Sequence, residues 1–161
     1  MSSSNHLRAD AARNRDRLIN VVRKQFSKRD SAVTLEEIAQ LAAVGIGTLY
    51  RHFPSREALV EAVYRTELDG LMADAEDLLK GRLAFQALRM WMDRYTQFVA
   101  TKHAMHETLR SAFTSRSGPP IDTRAKIRTA IARFLAAGVA DGTIRNDVGE
   151  DDSRLASQPL F

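Results

Sequence analysis

The sequence predicts an all-α fold, and three observations lead to that prediction. Only 4 prolines occur among the 161 residues. Apolar and polar residues nowhere alternate over the length of a strand, whereas apolar residues recur every three or four positions through most of the chain. The chain is long enough for a small domain followed by a second helical body, and we expect that arrangement.

Composition excludes several classes of protein. The sequence contains no cysteine, so disulfides, thiolate metal sites and cysteine nucleophiles are excluded. No apolar run approaches the roughly 18 residues that a membrane helix needs. Residues 1–6 lack the apolar segment of a signal peptide. These observations predict a cytoplasmic protein without a membrane partner.

The positive charge is concentrated near the N-terminus. Residues 1–65 carry 11 basic and 7 acidic side chains, which accounts for the whole net charge of +4, because residues 66–161 carry 13 of each. Between Arg8 and Arg29 the basic side chains face only Asp10 and Asp16. A local basic excess is typical of a surface that binds phosphate. A solvated helix face of the same composition is the equally weighted alternative.

The first helix is expected from about Ala11 to Lys28, and residues 28–31 interrupt its pattern. Its apolar face consists of Leu18, Ile19, Val22 and Phe26. A capping box then starts a short second helix, because Thr34 and Glu37 have the spacing at which each side chain bonds the other's backbone N–H. The expected buried face of this helix consists of Leu35, Ile38, Ala39 and Ala42.

A brief turn at residues 43–45 leads to a third short helix, from Ile46 to about Phe53. Ser55 is expected to cap a fourth helix that continues to about Lys80, with Glu57 in the first turn, where the helix dipole favours an acid. Further helices are predicted at 83–101, 104–113 and 123–140, with a loop at 114–121. Asp122 should cap the last of these, whose inward side chains are Ile127, Ile131, Phe134 and Leu135.

Two short helices joined by a tight turn, with a third helix beneath them, form a helix-turn-helix unit. In such a unit the N-terminal end of the second helix enters the major groove of DNA. Gly45 and Gly47 allow close backbone approach there, and Thr48 offers a hydroxyl and a methyl group to a base. The side chains placed to bond phosphates are Thr34, Tyr50, His52 and Arg56. The alternative is a helical hairpin in which the aromatic side chains only fill the core.

The stretch from Ile38 to Leu59 resembles the signature of TetR-family regulators. It reads IAQLAAVGIGTLYRHFPSREAL, and its LYRHFPS segment at 49–55 is highly specific. The similarity runs from about Arg15 to Val63, whereas the rest of the chain matches only in being helical. The resemblance implies a DNA-binding surface made of Thr34, Gly45, Ile46, Gly47, Thr48, Tyr50, Arg51, His52 and Arg56. It implies a small core made of Ile38, Ala39, Ala42, Val44, Leu49, Phe53 and Leu59.

Two departures from the family pattern affect the turn. Ala43 occupies a position where the family usually has glycine, so the turn either adopts another conformation or is mildly strained. Gly45 stands where a serine usually caps the next helix, and glycine supplies no side-chain bond. Arg56 replaces the usual lysine and should have the same electrostatic role. The departures predict a less rigidly held recognition helix.

The resemblance also implies that the C-terminal half binds a small effector and carries a dimer interface. The candidate pocket residues are Trp91, Met92, Tyr95, Phe98, Met105, His106 and Phe113. Plain core packing of this aromatic and methionine stripe is the favoured alternative for any one of them. His103, His106 and Glu107 resemble a metal site only weakly, and a solvated histidine pair is preferred, so neither a metal nor a cofactor is predicted.

The family normally continues with two more helices that pair across a two-fold axis, and the residues after Asp152 are too few for both. The C-terminal domain therefore looks shortened, and we expect a homodimer that is weak or rearranged. Leu155, Leu160 and Phe161 either dock on a second copy or fray.

The sequence thus predicts a non-enzymatic, DNA-binding transcription regulator. The leading hypothesis is a repressor that releases a palindromic double-stranded operator when an unidentified small molecule binds. The alternatives are a DNA-binding protein without an effector and a truncated helical interaction module. An enzyme lacks support, because there is no Gly-rich phosphate loop and no nucleophile beside a base. The expected domains are a flexible basic arm at 1–12, the DNA-binding domain at 13–60 and the regulatory domain at 61–161.

Overall fold

The structure is a computed structural model that describes residues 2–27, 33–114 and 122–146. In these ranges the chain is entirely helical apart from turns and short connections, which confirms the all-α prediction. The helices are α1 (Ser2–Ser27), α2 (Leu35–Leu41), α3 (Ile46–His52), α4 (Arg56–Leu79), α5 (Ala84–Ala104), α6 (His106–Thr114) and α7 (Thr123–Ala140). No helix of the described ranges is long and apolar enough to cross a bilayer.

The chain divides into two compact units. The first takes in residues 1–66 and 99–118, and the second takes in residues 67–98 and 119–161. Each unit has its own buried apolar side chains, so each is described by itself.

In the first unit, α1 packs against α2 and α3, and α2 packs against α3. The buried side chains of these helices and of the first part of α4 include Leu18, Ile19, Val22, Ile38, Ala39, Ala42, Leu49, Phe53, Leu59, Val60 and Val63. The predicted core of the small domain is therefore confirmed, except that Val44 is only half-buried. Leu35, the first residue of α2, was expected to be buried but is likewise half-buried.

The first helix is longer than predicted. It begins at Ser2 rather than near Ala11, so the segment expected to be a flexible arm is helical. Once a helix has nucleated on a buried face, each added residue gains a backbone hydrogen bond, and extension toward the N-terminus is favourable. Asp10 stabilises this N-terminal part of α1, because its carboxylate pairs with His6 at 2.9 Å and with Arg13. Residues 28–31 and the side chain of Phe26 lie outside the described part.

The second unit is built around Trp91, which is fully buried. Its indole Nε1–H donates to the Leu71 carbonyl at 2.9 Å, so the one polar atom of the ring is satisfied. The ring stacks on Tyr95 at 5.7 Å and lies tilted against Phe134 at 5.5 Å between centroids. Around this core, exposed ion pairs join the helices: Asp69 with Lys126 (2.7 Å), Glu76 with Arg133 (2.6 Å) and Asp74 with Arg94 (2.9 Å).

The first turn of α5 is capped from a distant part of the chain. The Ala84 N–H donates to the Asp141 carboxylate at 2.7 Å, and the Phe85 N–H donates to the Thr143 hydroxyl at 3.3 Å. The first of these bonds keeps the pKa of Asp141 below its ordinary value, and the Thr143 hydroxyl adds to the effect. The end of α7 thus fixes the beginning of α5.

Gly138 is the position where the chain can fold back after α7. The N–H groups of Thr143 and Ile144 both donate to the Gly138 carbonyl, at 2.9 and 3.0 Å. A Cβ at Gly138 would lie 2.5 Å from Cδ1 and Cγ1 of Ile144. Only the absence of a side chain allows Ile144 to pack there.

The ends of α7 agree with the sequence prediction. Asp122 caps the helix by accepting from the Ala125 N–H at 2.9 Å, and Gly142 terminates it at φ 74°. Ile127, Ile131 and Phe134 are buried as expected, and Leu135 is half-buried. Most of the predicted 114–121 loop and the tail after residue 146, including Leu155, Leu160 and Phe161, lie outside the described residues.

Candidate nucleic-acid interface

The start of α2 is fixed by the predicted capping box. The Thr34 hydroxyl accepts from the Glu37 N–H at 3.2 Å, and the Glu37 carboxylate accepts from the Thr34 N–H at 2.8 Å. The same carboxylate accepts from the Thr34 hydroxyl at 3.1 Å. These bonds, that of the backbone N–H above all, hold the pKa of Glu37 below its ordinary value. Thr34 is exposed, but a phosphate at its hydroxyl must compete with Glu37 for the proton.

The turn after α2 is a Schellman motif built on alanine. The Val44 N–H donates to the Ala39 carbonyl and the Ala43 N–H donates to the Gln40 carbonyl, both at 3.0 Å. This pattern places Ala43 in the left-handed region, at φ 53°. Of the two possibilities that the sequence left open, the strained turn is the one observed. The expected cost is about 1–2 kcal/mol relative to an unstrained residue.

Helix α3 carries the predicted base-contacting residues on an open surface. Gly45 begins the helix in extended backbone (φ −68°, ψ 145°) and provides no side-chain cap. Leu49, on the inner face of α3, is buried, while Ile46 and Tyr50 are 40% and 45% exposed. A Cβ at Gly47 would meet no atom within 4 Å. The outer face of α3 is therefore accessible, and its small residues leave the backbone within reach of a ligand.

Arg51 lies along this face. Its Nη2 donates to the Thr48 hydroxyl at 3.1 Å, and its Nε donates to the Gly47 carbonyl at 3.2 Å. The side chain is exposed, whereas Thr48 is half-buried. The structure thus joins two predicted DNA-binding side chains in one hydrogen-bonded pair.

Arg56 has a structural contact that the sequence did not indicate. Its guanidinium donates to the backbone carbonyl of Val33, immediately before the Thr34 cap. Ser55 caps α4 as predicted, accepting from the Ala58 N–H at 3.2 Å. Arg56, which is half-buried, therefore ties the start of α4 to the start of α2. Lysine, with a single charged head, cannot present the same planar fork of donors.

The remaining predicted phosphate contacts differ in accessibility. Tyr50 is exposed, whereas His52 is half-buried with its ring 6.3 Å from that of Phe53. Phe53 also has a cationic neighbour, because the Arg15 guanidinium lies over the ring at 5.7 Å from its centroid. Sequence analysis missed this contact between α1 and the end of α3, and no local spacing could have revealed it.

The seven candidate pocket residues are divided between the two units. In the second unit, Trp91, Tyr95 and Phe98 stack along α5, with Met92 half-buried beside them. Burial raises the pKa of Tyr95. In the first unit, the candidates are Met105, His106 and Phe113.

These first-unit candidates have different surroundings. Met105 is buried, and His106 is exposed with Nδ1 3.5 Å from Glu107. The Phe113 ring makes a T-shaped contact with that of buried Tyr64, at 5.8 Å between centroids. Among the described residues no three His, Asp or Glu side chains are grouped to hold a metal ion.

Comparison with known proteins gives consistent results. The family model for bacterial regulatory proteins of the tetR family matches residues 18–63. The transcriptional repressor KstR2 of Mycolicibacterium smegmatis is 29% identical over 147 residues, which cover 87% of this chain and 72% of that repressor.

Two crystal structures are also similar. A TetR transcriptional regulator from Streptomyces coelicolor has a TM-score of 0.77 and 37% identity, over 89% of this chain and 83% of that one. A TetR transcription regulatory protein from Mycobacterium vanbaalenii has a TM-score of 0.76 and 31% identity, over 94% and 95% of the two chains.

Proposed function

Since this chain belongs to the TetR family of transcription regulators, we propose that it is a ligand-responsive repressor acting in the cytoplasm. It binds a palindromic operator as a homodimer and leaves the operator when a small molecule occupies the C-terminal half. The observation that supports DNA recognition most directly is the accessible face of α3, with Gly45, Gly47 and Arg51 exposed above buried Leu49.

The phosphate contacts follow from the surroundings of α3. Exposed Tyr50 and half-buried His52 lie in the recognition helix itself, and exposed Thr34 and half-buried Arg56 lie before and after it in the same unit. Phosphate contacts set register and affinity, whereas contacts to base edges set sequence preference. We therefore expect binding that is sequence-specific and that weakens steeply as salt rises, because bound counterions are released from DNA.

The first experiment selects binders from a random-sequence duplex library with the intact chain, and repeats binding of the enriched duplex across a salt series. Enrichment of a two-fold symmetric consensus, with steep salt dependence, supports the proposal. Arg56→Ala should weaken binding to every duplex alike, whereas Arg56→Lys keeps the positive charge and should retain most of the binding. Failure to enrich any duplex rejects DNA binding.

Dimerisation is required to place two recognition helices one DNA turn apart, roughly 34–36 Å. The second unit exposes large apolar side chains that favour contact with another copy: Leu83, Phe85, Met90 and Val139. Sedimentation over a wide concentration range measures the strength of the dimer. A species that stays monomeric even when saturated with operator rejects the two-fold arrangement.

One observation favours a second candidate, a DNA-binding regulator without an effector. Trp91 is fully buried, with its N–H bonded to Leu71 and its ring packed between Tyr95 and Phe134, so it resembles filled core more than a pocket wall. Thermal-shift screening with metabolite mixtures, followed by release of the bound operator, separates the two. A stabilising compound that releases DNA supports the repressor; stabilisation by none, with DNA binding intact, supports the second candidate.

A further inference from the structure

We propose that Arg51 recognises a guanine in each half-site of the operator, and that Thr48 positions the Arg51 guanidinium instead of contacting a base itself. The inference rests on the DNA-binding function proposed above and names the residue that determines sequence preference there.

The geometry of Arg51 carries the proposal. Side chains on an α-helix tilt toward its N-terminus, so a residue in the last turn of α3 can reach the first turn. Arg51 does so, with Nη2 on the Thr48 hydroxyl at 3.1 Å and Nε on the Gly47 carbonyl at 3.2 Å. The charge is thereby held beside Gly47 and Thr48, in the part of α3 expected to enter the major groove.

The donors that this geometry leaves at the outer edge match guanine. A guanidinium has five N–H donors in one plane. The two contacts engage the Nε hydrogen and one hydrogen of Nη2, so Nη1 and the second Nη2 hydrogen form the outer edge of the fork. Guanine presents two acceptors in the major groove, O6 and N7, and arginine binds both at once. Because the side chain is already held in one conformation, less rotamer freedom is lost on binding.

The surroundings leave room for a base edge. Gly47 carries no side chain, and its Cβ direction is open for at least 4 Å. Arg51 is the one permanently charged side chain in α3, whose residues are IGTLYRH. Thr48 is half-buried and its hydroxyl already accepts from Arg51, which fits a positioning residue better than a direct base contact.

The test begins with the duplex that the wild-type chain enriches from a random library. At each guanine of the consensus, 7-deazaguanine replaces the N7 acceptor with C–H. At one guanine per half-site this change should weaken wild-type binding about tenfold. Arg51→Ala should bind the natural and modified duplexes equally. If Arg51→Ala keeps the full discrimination at every guanine, the inference is wrong while DNA binding stands; if the wild type enriches no duplex, the proposed function itself is rejected.

The role of Thr48 is tested by its hydroxyl. Thr48→Val keeps the shape but removes the acceptor, and should reduce the discrimination against 7-deazaguanine, whereas Thr48→Ser should retain it. In the Arg51→Ala background, Thr48→Val should change nothing further, because it acts through Arg51. A change of base preference by Thr48→Val in that background shows that Thr48 contacts a base directly and overturns its positioning role.

Arg65→Ala is the matched control, because it removes the same charge from the same unit outside α3. Arg65 is exposed and pairs with Glu61 at 2.8 Å on α4. It should leave the guanine discrimination unchanged. Loss of that discrimination in Arg65→Ala attributes the Arg51 effect to net charge and rejects guanine recognition.

Discussion

The two units order their helices by different means. In the first, the ends of α2 and the start of α4 are capped by residues a few positions apart: Thr34 with Glu37, Val44 with Ala39, and Ala58 with Ser55. The bond from Arg56 to Val33 is the longer-range addition there. In the second, the decisive bonds join distant residues. Trp91 donates to Leu71, 20 positions away, and Ala84 donates to Asp141, 57 positions away.

The difference follows from helix length and burial. Isolated helices of seven residues are unstable in water, so α2 and α3 each need a packed face to persist, and α2 also has its capping box. Local capping keeps the fixing atoms at the helix ends and leaves the outer face of α3 open for contact. In the second unit the positions of the helices depend instead on buried side chains around Trp91. Substitutions should therefore act through the core in the second unit and through local geometry in the first.

The largest expected effect is that of Trp91→Ala. It removes the fully buried indole and its bond to Leu71, and large-to-small changes of this kind cost about 3–5 kcal/mol. Chemical denaturation followed by circular dichroism measures the loss. Hydrogen exchange should accelerate more in peptides from 67–98 and 122–146 than in those from 33–66. Gln86→Ala, at an exposed position of the same helix outside the proposed dimer surface, is the control; an equal loss there would contradict the assignment of the core.

Gly138→Ala should destabilise the second unit by about 1–3 kcal/mol, because its new Cβ overlaps Ile144. The single tryptophan, buried in that unit, reports the transition by fluorescence. Gly70→Ala makes the same chemical change on α4, where no atom lies within 4 Å of the added Cβ. It should stabilise by about 0.5–1 kcal/mol. If both variants shift stability in the same direction, the fold-back of Ile144 is not a determinant.

In the first unit, replacing an alanine by glycine should raise stability at one position, Ala43. Glycine adopts a φ of 53° without the penalty that alanine pays, and part of this gain is offset by its greater freedom in the unfolded chain. We expect stabilisation of about 0.5–1 kcal/mol by denaturant titration. Ala136→Gly, in the interior of α7, is the control and should destabilise by a similar amount. A destabilised Ala43→Gly would show that the turn is not strained.

The smallest expected effect is the loss of folding stability at acidic pH. The pKa values of Glu37 and Asp141 are lowered in the folded chain by the N–H groups of Thr34 and Ala84, with further help from the Thr34 and Thr143 hydroxyls. The unfolded chain therefore takes up these protons first as pH falls. The stabilisation is complete above the unfolded-state pKa values, about 4, and is lost as pH drops through the lower folded-state values.

The acid sensitivity that each cap contributes should be measurable in the unit that contains the cap. Asp141→Asn should make the acid dependence of tryptophan fluorescence shallower, whereas Glu37→Gln should do so for hydrogen exchange in residues 33–54. Asp77→Asn, an exposed acid that pairs with Lys80 at 2.7 Å, is the control. Identical acid profiles for Asp141→Asn and Glu37→Gln in both measurements would mean that the two units unfold as one.

Much of the first unit was predictable because its signals are local. The capping box, the start of α4 and the buried positions of α2 and α3 all depend on spacings of three or four residues, and the structure confirms them except for half-buried Leu35. The contact between Thr48 and Arg51 also has such a spacing. The predicted start of α1, near Ala11, was wrong, because a helix that extends over polar residues leaves no apolar pattern to detect.

The sequence by itself determined the helical class and the helix-turn-helix segment with its family, and it predicted the residues that would contact DNA, since each of these depends on neighbours along the chain. Only the tertiary structure decided that Arg56 bonds the Val33 carbonyl, that Arg15 covers Phe53, and that Asp141 caps α5. It also decided that Trp91 is fully buried with its N–H bonded. The physical reason is that these contacts join atoms brought together only when separate helices pack, and hydrophobic periodicity specifies which face is buried but not which partner covers it.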